Sequence, residues 1–182
     1  AMIVLGFLSY YDGYLKIPNK ELMLEFEKAL EDESFGYVSK IIENSKSMLK
    51  ATVNKDVKII EEILHDIHNS EIPILQYNDE NSLSCVLTLA YLSARDNYRV
   101  EREEKTGKGY ADFTFHPRRK NDTAFIVELK KDEKPEIALK QIRSKEYVEK
   151  FKRENMGKKI LAVAICYDSK EKEHHCLIEE ID

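Results

Sequence analysis

Tyr110-Ala111-Asp112-Phe113-Thr114-Phe115 and Ala124-Phe125-Ile126-Val127-Glu128-Leu129-Lys130 are two strand-like segments joined by the polar stretch from His116 to Thr123. A β-strand sends alternate side chains to opposite faces, so Glu128 and Lys130 project together while Phe125, Val127 and Leu129 point the other way. In the preceding segment Ala111, Phe113 and Phe115 share one face and leave Asp112 opposite them. Pairing of the two strands therefore brings Asp112 toward Glu128, with an amine alongside.

Working outward, the residues before this pair read as a helix that Asp79 caps, with Leu83, Val86, Leu87, Ala90, Tyr91 and Ala94 along one face. Tyr98 to Glu103 reads as the strand that precedes Tyr110, with Gly107 and Gly109 loosening the connection. After Lys130 the spacing predicts a helix from about Pro135 to Glu154. Lys159 to Tyr167 is apolar on both faces, as expected of a central strand covered from either side, and a last strand alternates around His175 to Glu179. The order from the capped helix onward is α-β-β-β-α-β-β, a mixed central sheet flanked by helices.

Upstream, Met2 to Ile17 reads as a β-hairpin about Asp12-Gly13, followed by helices after Pro18-Asn19, over Tyr37 to Leu49 and over Asn54 to Ile67. Pro73, within Ser70 to Asn78, marks the expected boundary. The expected organisation is thus a small, mainly helical N-terminal region over 1–72 and an α/β domain over 73–182.

With 182 residues, 42% of them apolar, the chain can bury one substantial core. No apolar run approaches the roughly 20 residues that span a bilayer, and the N-terminus lacks a basic leader and cleavage pattern, so the sequence reads as a cytoplasmic protein with no membrane partner. Cys85, Cys166 and Cys176 suit reduced thiols packed as small apolar groups. The net charge of -5 argues against a protein that coats nucleic acid indiscriminately, yet Arg99 to Lys159 holds 18 Lys and Arg against 12 Asp and Glu, leaving 11 against 22 elsewhere. The positive field coincides with the strands that carry Asp112, Glu128 and Lys130.

Glu80 stands three and seven residues before Leu83 and Leu87, on the stripe its helix buries. Carboxylates of Asp112, Glu128 and Glu80 converging on one spot would repel one another unless a cation neutralises them. All-oxygen donors favour Mg²⁺ or Mn²⁺, and such an ion suits phosphate chemistry, with Lys130 able to orient a water and offset developing negative charge. The reaction class this points to is phosphodiester hydrolysis.

Gly109-Tyr110-Ala111-Asp112, then Glu128-Leu129-Lys130, then Ala138-Leu139-Lys140-Gln141-Ile142 and Tyr147, resembles the PD-(D/E)xK nuclease superfamily. More closely, it is similar to the nuclease-like domain at the C-terminus of bacterial proteins that begin with an AAA-ATPase-like module, and Asp12 to Asn19 resembles that family's junction. The resemblance implies a restriction-endonuclease-like core, Asp112 and Glu128 as metal ligands, Lys130 as the catalytic lysine, Glu80 as the acid of the first core helix and Gln141 as the polar residue of the helix after the catalytic strand. It also implies a nucleic-acid substrate, DNA before RNA, and an upstream ATPase-like partner module. Tyr110 replaces the arginine of the family-type Gly-Arg-Ala-Asp, and Ala111 stands where the superfamily name places proline.

Each residue has a plainer alternative. Glu128 and Lys130 could form a cross-strand ion pair on a solvated face, Glu80 could serve the helix dipole, and Gln141 could be satisfied by backbone. Arg118, Arg119 and Lys120, with Lys140, Arg143 and Lys145, are candidates for phosphate contact or a solubilising surface. His65 with His68, and His174-His175-Cys176, raise a structural zinc site, but neither has a complete ligand set at diagnostic spacing. The competing function is a catalytically silent nuclease fold that binds nucleic acid or a protein.

Overall fold

A computed structural model describes residues 3, 6–11, 13–31, 36–71, 80–105, 110–144 and 147–181, and of 29–31, 37, 70–71, 80–82, 103–105, 110, 144 and 147 it describes the backbone alone. The chain divides into two compact units, 1–43 and 44–182. The expected break near Pro73 falls in 72–79, outside the described residues.

In the first unit β1 (Ser9–Tyr11) and β2 (Tyr14–Lys16) pair antiparallel about Gly13, whose φ of 80° is the left-handed value such a turn requires. Helix α1 (Lys20–Glu31) starts where expected: the Asn19 side-chain oxygen accepts the Leu22 N–H at 2.8 Å, capping its first turn. Helix α2 (Tyr37–Asn54) runs on into the second unit.

The second unit is built on a five-stranded mixed sheet in the order β3 (Tyr98–Lys105), β4 (Tyr110–Pro117), β5 (Ala124–Lys131), β6 (Ile160–Asp168), β7 (Glu173–Ile181). β5 and β6 are parallel and the other neighbours antiparallel. A parallel pair needs a crossover, supplied by α6 (Pro135–Ser144) and α7 (Tyr147–Glu154); one helix was expected there, and residues 145–146 lie outside the described residues. β6 is buried along nearly its whole length, as its two-sided apolar sequence predicts.

Each face of the sheet carries its own core. On one, Phe115, Phe125, Val127, Leu161 and Val163 pack against α2, α3 (Val57–Glu71) and α4 (Glu80–Ala90), with Phe115 and Phe125 stacked at 4.2 Å between ring centroids. On the other, Ile126, Ala162 and Ala164 face Ala138, Leu139, Ile142 and Phe151 of α6 and α7. The small residues of β6 let those helices lie close. A short helix α5 (Ala94–Asn97) leads from α4 into β3.

Helix α3 packs on β7 and α4, and so belongs to the sheet's own unit. Lys55, at a φ of 59°, makes the sharp turn between α2 and α3, after which the Asp56 carboxylate accepts the Ile59 N–H at 3.4 Å. Two buried contacts tie these helices down. Thr52 Oγ1 meets the Tyr91 hydroxyl at 2.6 Å, and His68 Nδ1 meets His174 Nε2 at 3.2 Å.

Candidate active site

β4 and β5 pair in register from Phe115 opposite Phe125 to Phe113 opposite Val127. Asp112 and Glu128 are the next residues along each strand, just beyond the last paired ones. The ladder stops there. Leu129 donates its N–H to Asp112 Oδ2 at 2.7 Å, so a side chain takes the hydrogen bond that a longer ladder would give to backbone. Ala111, buried, groups with the α6-side core and not with Phe113 and Phe115, so the alternation expected for β4 breaks at Asp112. A carboxylate thus sits at the fork where two strands part.

Glu128 is on the α6 face, 2% exposed, among the largest fully buried side chains of the described residues. An ionised carboxylate at such depth needs partners. Gln141 of α6 donates from its side-chain amide to Glu128 Oε1, and Lys130 Nζ stands 3.7 Å from the same oxygen, its side chain 17% exposed. The Glu-x-Lys spacing predicts this shared face, and Gln141 completes it because α6 packs its Leu139 and Ile142 onto Ile126 and Ala162. The solvated strand face considered as the alternative is therefore not what the strand presents.

The end of β5 is held separately. Asp132, at a φ of 55°, accepts hydrogen bonds from the Ser169 N–H at 2.8 Å and its hydroxyl at 2.6 Å, joining the turn after β5 to the turn after β6. Those hydrogen bonds from Ser169 hold the Asp132 carboxyl below its ordinary range. Cys166 lies beside Lys130 in the β5–β6 register, and burial pushes its thiol up to about 12, which makes it an inert packing group.

Glu80 is the first residue of α4, and its side chain lies outside the described residues. Lys140 is exposed on α6 next to Gln141, Arg143 is paired with Glu179 of β7, and Lys145 lies outside the described residues. Arg118, Arg119 and Lys120 are exposed in the β4–β5 loop. That loop begins six residues beyond Asp112, roughly 20 Å along the strand, at the opposite end of the sheet from the carboxylates.

The histidines do not assemble as zinc ligands in the combination the sequence raised. His68 and His174 bond each other in the core, and burial raises the Cys176 thiol well above its ordinary range. Among the described residues a donor group within 4.8 Å forms instead from Glu171, Glu173 and His175, exposed or half-buried around the start of β7. Also among the described residues, no helix is long and apolar enough to cross a membrane.

The family description "PD-(D/E)XK nuclease superfamily" matches residues 78–175, more than half of the chain and the whole stretch from α4 into β7. The chain belongs to that superfamily. Neither the comparison with curated proteins nor that with solved structures returned a match. For a PD-(D/E)XK nuclease-type domain the five-stranded mixed sheet with helices on both faces is the expected restriction-endonuclease-like architecture, and nucleases of this superfamily typically use divalent metal ions. The donors at the fork fit such an ion: Asp112 and Glu128 offer hard carboxylate oxygens, and both are hydrogen-bonded in place.

What the sequence did not disclose is the fork. Leu129 carries no functional side chain, and its N–H becomes a site group only because β4 turns away at Asp112. The sole hint in the sequence is the acid itself, placed where a strand would otherwise continue.

Proposed function

We propose that this chain acts as a metal-dependent nuclease domain that hydrolyses phosphodiester bonds of nucleic acid, with DNA as the first substrate and Mg²⁺ or Mn²⁺ as the ion. The observation that carries this reading is the buried Glu128 carboxylate, bonded by Gln141 and flanked by Lys130, with the Asp112 carboxylate bonded to the N–H of the next residue, Leu129. Acidic groups brought together from two strands are a poor structural device and a good ligand set for a hard cation.

In this reading Asp112 and Glu128 hold the ion, with Glu80 as a third acid from α4. The bound ion supplies Lewis acidity at the scissile phosphate. Gln141 fixes the orientation of Glu128, and the Leu129 N–H fixes that of Asp112, so neither carboxylate has to be ordered when substrate arrives. Lys130 places a fixed positive charge beside the site, where it orients the attacking water and offsets the charge that develops on phosphorus-bound oxygens. Lys140, exposed beside Gln141, offers a phosphate contact.

Purified protein is expected to cut DNA when Mn²⁺ is supplied and to stop on addition of EDTA, with Asp112→Ala and Glu128→Ala inactive but folded. Cutting by either variant at the wild-type rate would remove these residues from the mechanism. A second reading, a silent nuclease fold that binds nucleic acid or protein, is favoured by Tyr110 in place of the family-type arginine. Absence of Mn²⁺ binding by calorimetry, with salt-sensitive DNA affinity retained, would select it. The likeness to domains that follow an AAA-ATPase-like module makes such a module the proposed neighbour, in the cytoplasm.

A further inference from the structure

Two grooves on the larger unit carry opposite charge. One, of about 490 Å³, follows α3 and the start of β7, and the carboxylates of Glu61, Glu62, Asp66 and Glu173 line it along with three imidazoles. The other, of about 310 Å³, opens where α2 meets the start of β3 and the β4–β5 loop. Lys46, Lys50 and Arg119 line it, with Asn97, Tyr98 and a single carboxylate, Asp122. A polyanion is repelled by the first groove and drawn to the second.

The cations of the second groove stand on an ordered frame. Lys46 and Lys50 are one helical turn apart and share a face of α2. The loop that carries Arg119 is pinned at both ends: Arg118 donates its N–H to the Asn97 carbonyl at 2.9 Å, and the Tyr98 hydroxyl donates to the Thr123 carbonyl at 3.0 Å. Lys50 and Arg119 are exposed and take no carboxylate partner among the described residues. Both line the cavity.

We propose that this groove is a second contact for the nucleic-acid backbone, in which Lys46, Lys50 and Arg119 hold phosphates at the other end of β4 from Asp112, roughly 20 Å away along that strand. The ligand class rests on the nuclease reading. The separation does not: it follows from the length of β4, since Asp112 lies near one end of that strand and the loop at the other. β3, the edge strand beside β4, runs between the two places. Roughly 20 Å corresponds to about six nucleotide steps at 3.4 Å each, so a strand seated at the carboxylates must run at least that far to enter the groove.

The test is equilibrium binding in EDTA, which needs no cleavage. Fluorescence anisotropy is read on a 24-base-pair duplex, for wild type and for Lys50→Gln combined with Arg119→Gln. The variant is expected to bind the long duplex about tenfold more weakly at 50 mM salt. Its plot of log affinity against log salt is expected to flatten by about two, because two phosphate contacts are lost. A second variant of equal net charge, Lys58→Gln with Lys170→Gln, on α3 and the β6–β7 turn, is expected to bind like wild type. Equal loss in both variants, or no loss at all, overturns the proposal. Failure of the nuclease reading shows separately, as wild-type protein that neither binds Mn²⁺ nor cuts DNA.

Discussion

Asp112 Oδ2 accepts the backbone N–H of Leu129 at 2.7 Å, and this one bond joins the two strands after their ladder has ended. It gives the carboxylate two separable duties, a structural one as acceptor and a chemical one as anion. Asparagine keeps the first and loses the second. Asp112→Asn is therefore expected to retain nearly wild-type stability in urea while losing Mn²⁺-dependent cutting, whereas Asp112→Ala loses cutting and also about 1–2 kcal/mol of stability, by leaving the Leu129 N–H without its acceptor. Equal stability of the two variants would show that the bond contributes nothing to the fold.

Gln141 reaches Glu128 from a different element, so its effect should fall on the ion and not on the strand pair. Gln141→Ala is expected to weaken Mn²⁺ binding by about 10–100-fold, the usual loss when the partner that orients a ligand is removed. Calorimetric titration reads this directly. Unaltered Mn²⁺ affinity in a folded variant would make Gln141 a packing residue.

The Thr52–Tyr91 contact predicts an asymmetry in stability. Thr52 Oγ1 donates to the Met48 carbonyl at 2.9 Å, which leaves it to accept from the Tyr91 hydroxyl. Tyr91→Phe leaves Thr52 with its other partner, and about 1 kcal/mol should be lost. Thr52→Val strands a buried phenol hydroxyl, and the loss should reach about 2–3 kcal/mol. Urea denaturation of the pair decides the order.

His174 links stability to pH. Burial first, then the neighbouring imidazoles of His68, His65 and His175, push it down to about 3 from an ordinary value of 6.5. The folded state disfavours the proton that the unfolded chain accepts, so this contribution to stability is complete above about pH 6.5 and is lost as the pH falls toward 3. The slope is at most about 1.4 kcal/mol per pH unit. An apolar ring at this place removes the titration, at the cost of the bond between His174 Nε2 and His68 Nδ1. His174→Phe is expected to flatten the decline of stability between pH 6.5 and 4. An unchanged pH profile would place the titration elsewhere.

Much of this arrangement could be read along the chain because it depends on local periodicity. Alternation put Glu128 and Lys130 on one face, the two-sided apolar run marked β6 as central, and the helical stripe of Leu83, Val86, Leu87 and Ala90 identified α4. Strand and helix phases are backbone properties, and a sequence carries them whatever the rest of the molecule does. The N-terminal helices read less well. The stripe of α3 was legible, but its destination was not, since an apolar face does not name its partner; it packs on β7 and α4, more than a hundred residues of contour away in the case of β7.

The sequence by itself determined the order of the strands and main helical segments, the superfamily likeness and which acid and amine of β5 lie in phase. Only the tertiary structure decided that β4 leaves β5 at Asp112, that Glu128 is buried and held by Gln141, and that the basic loop stands at the far end of the sheet from both. The reason is range: a side chain's face is set by its nearest neighbours, whereas its partners depend on register between strands and on helices arriving from distant segments, which no local pattern encodes.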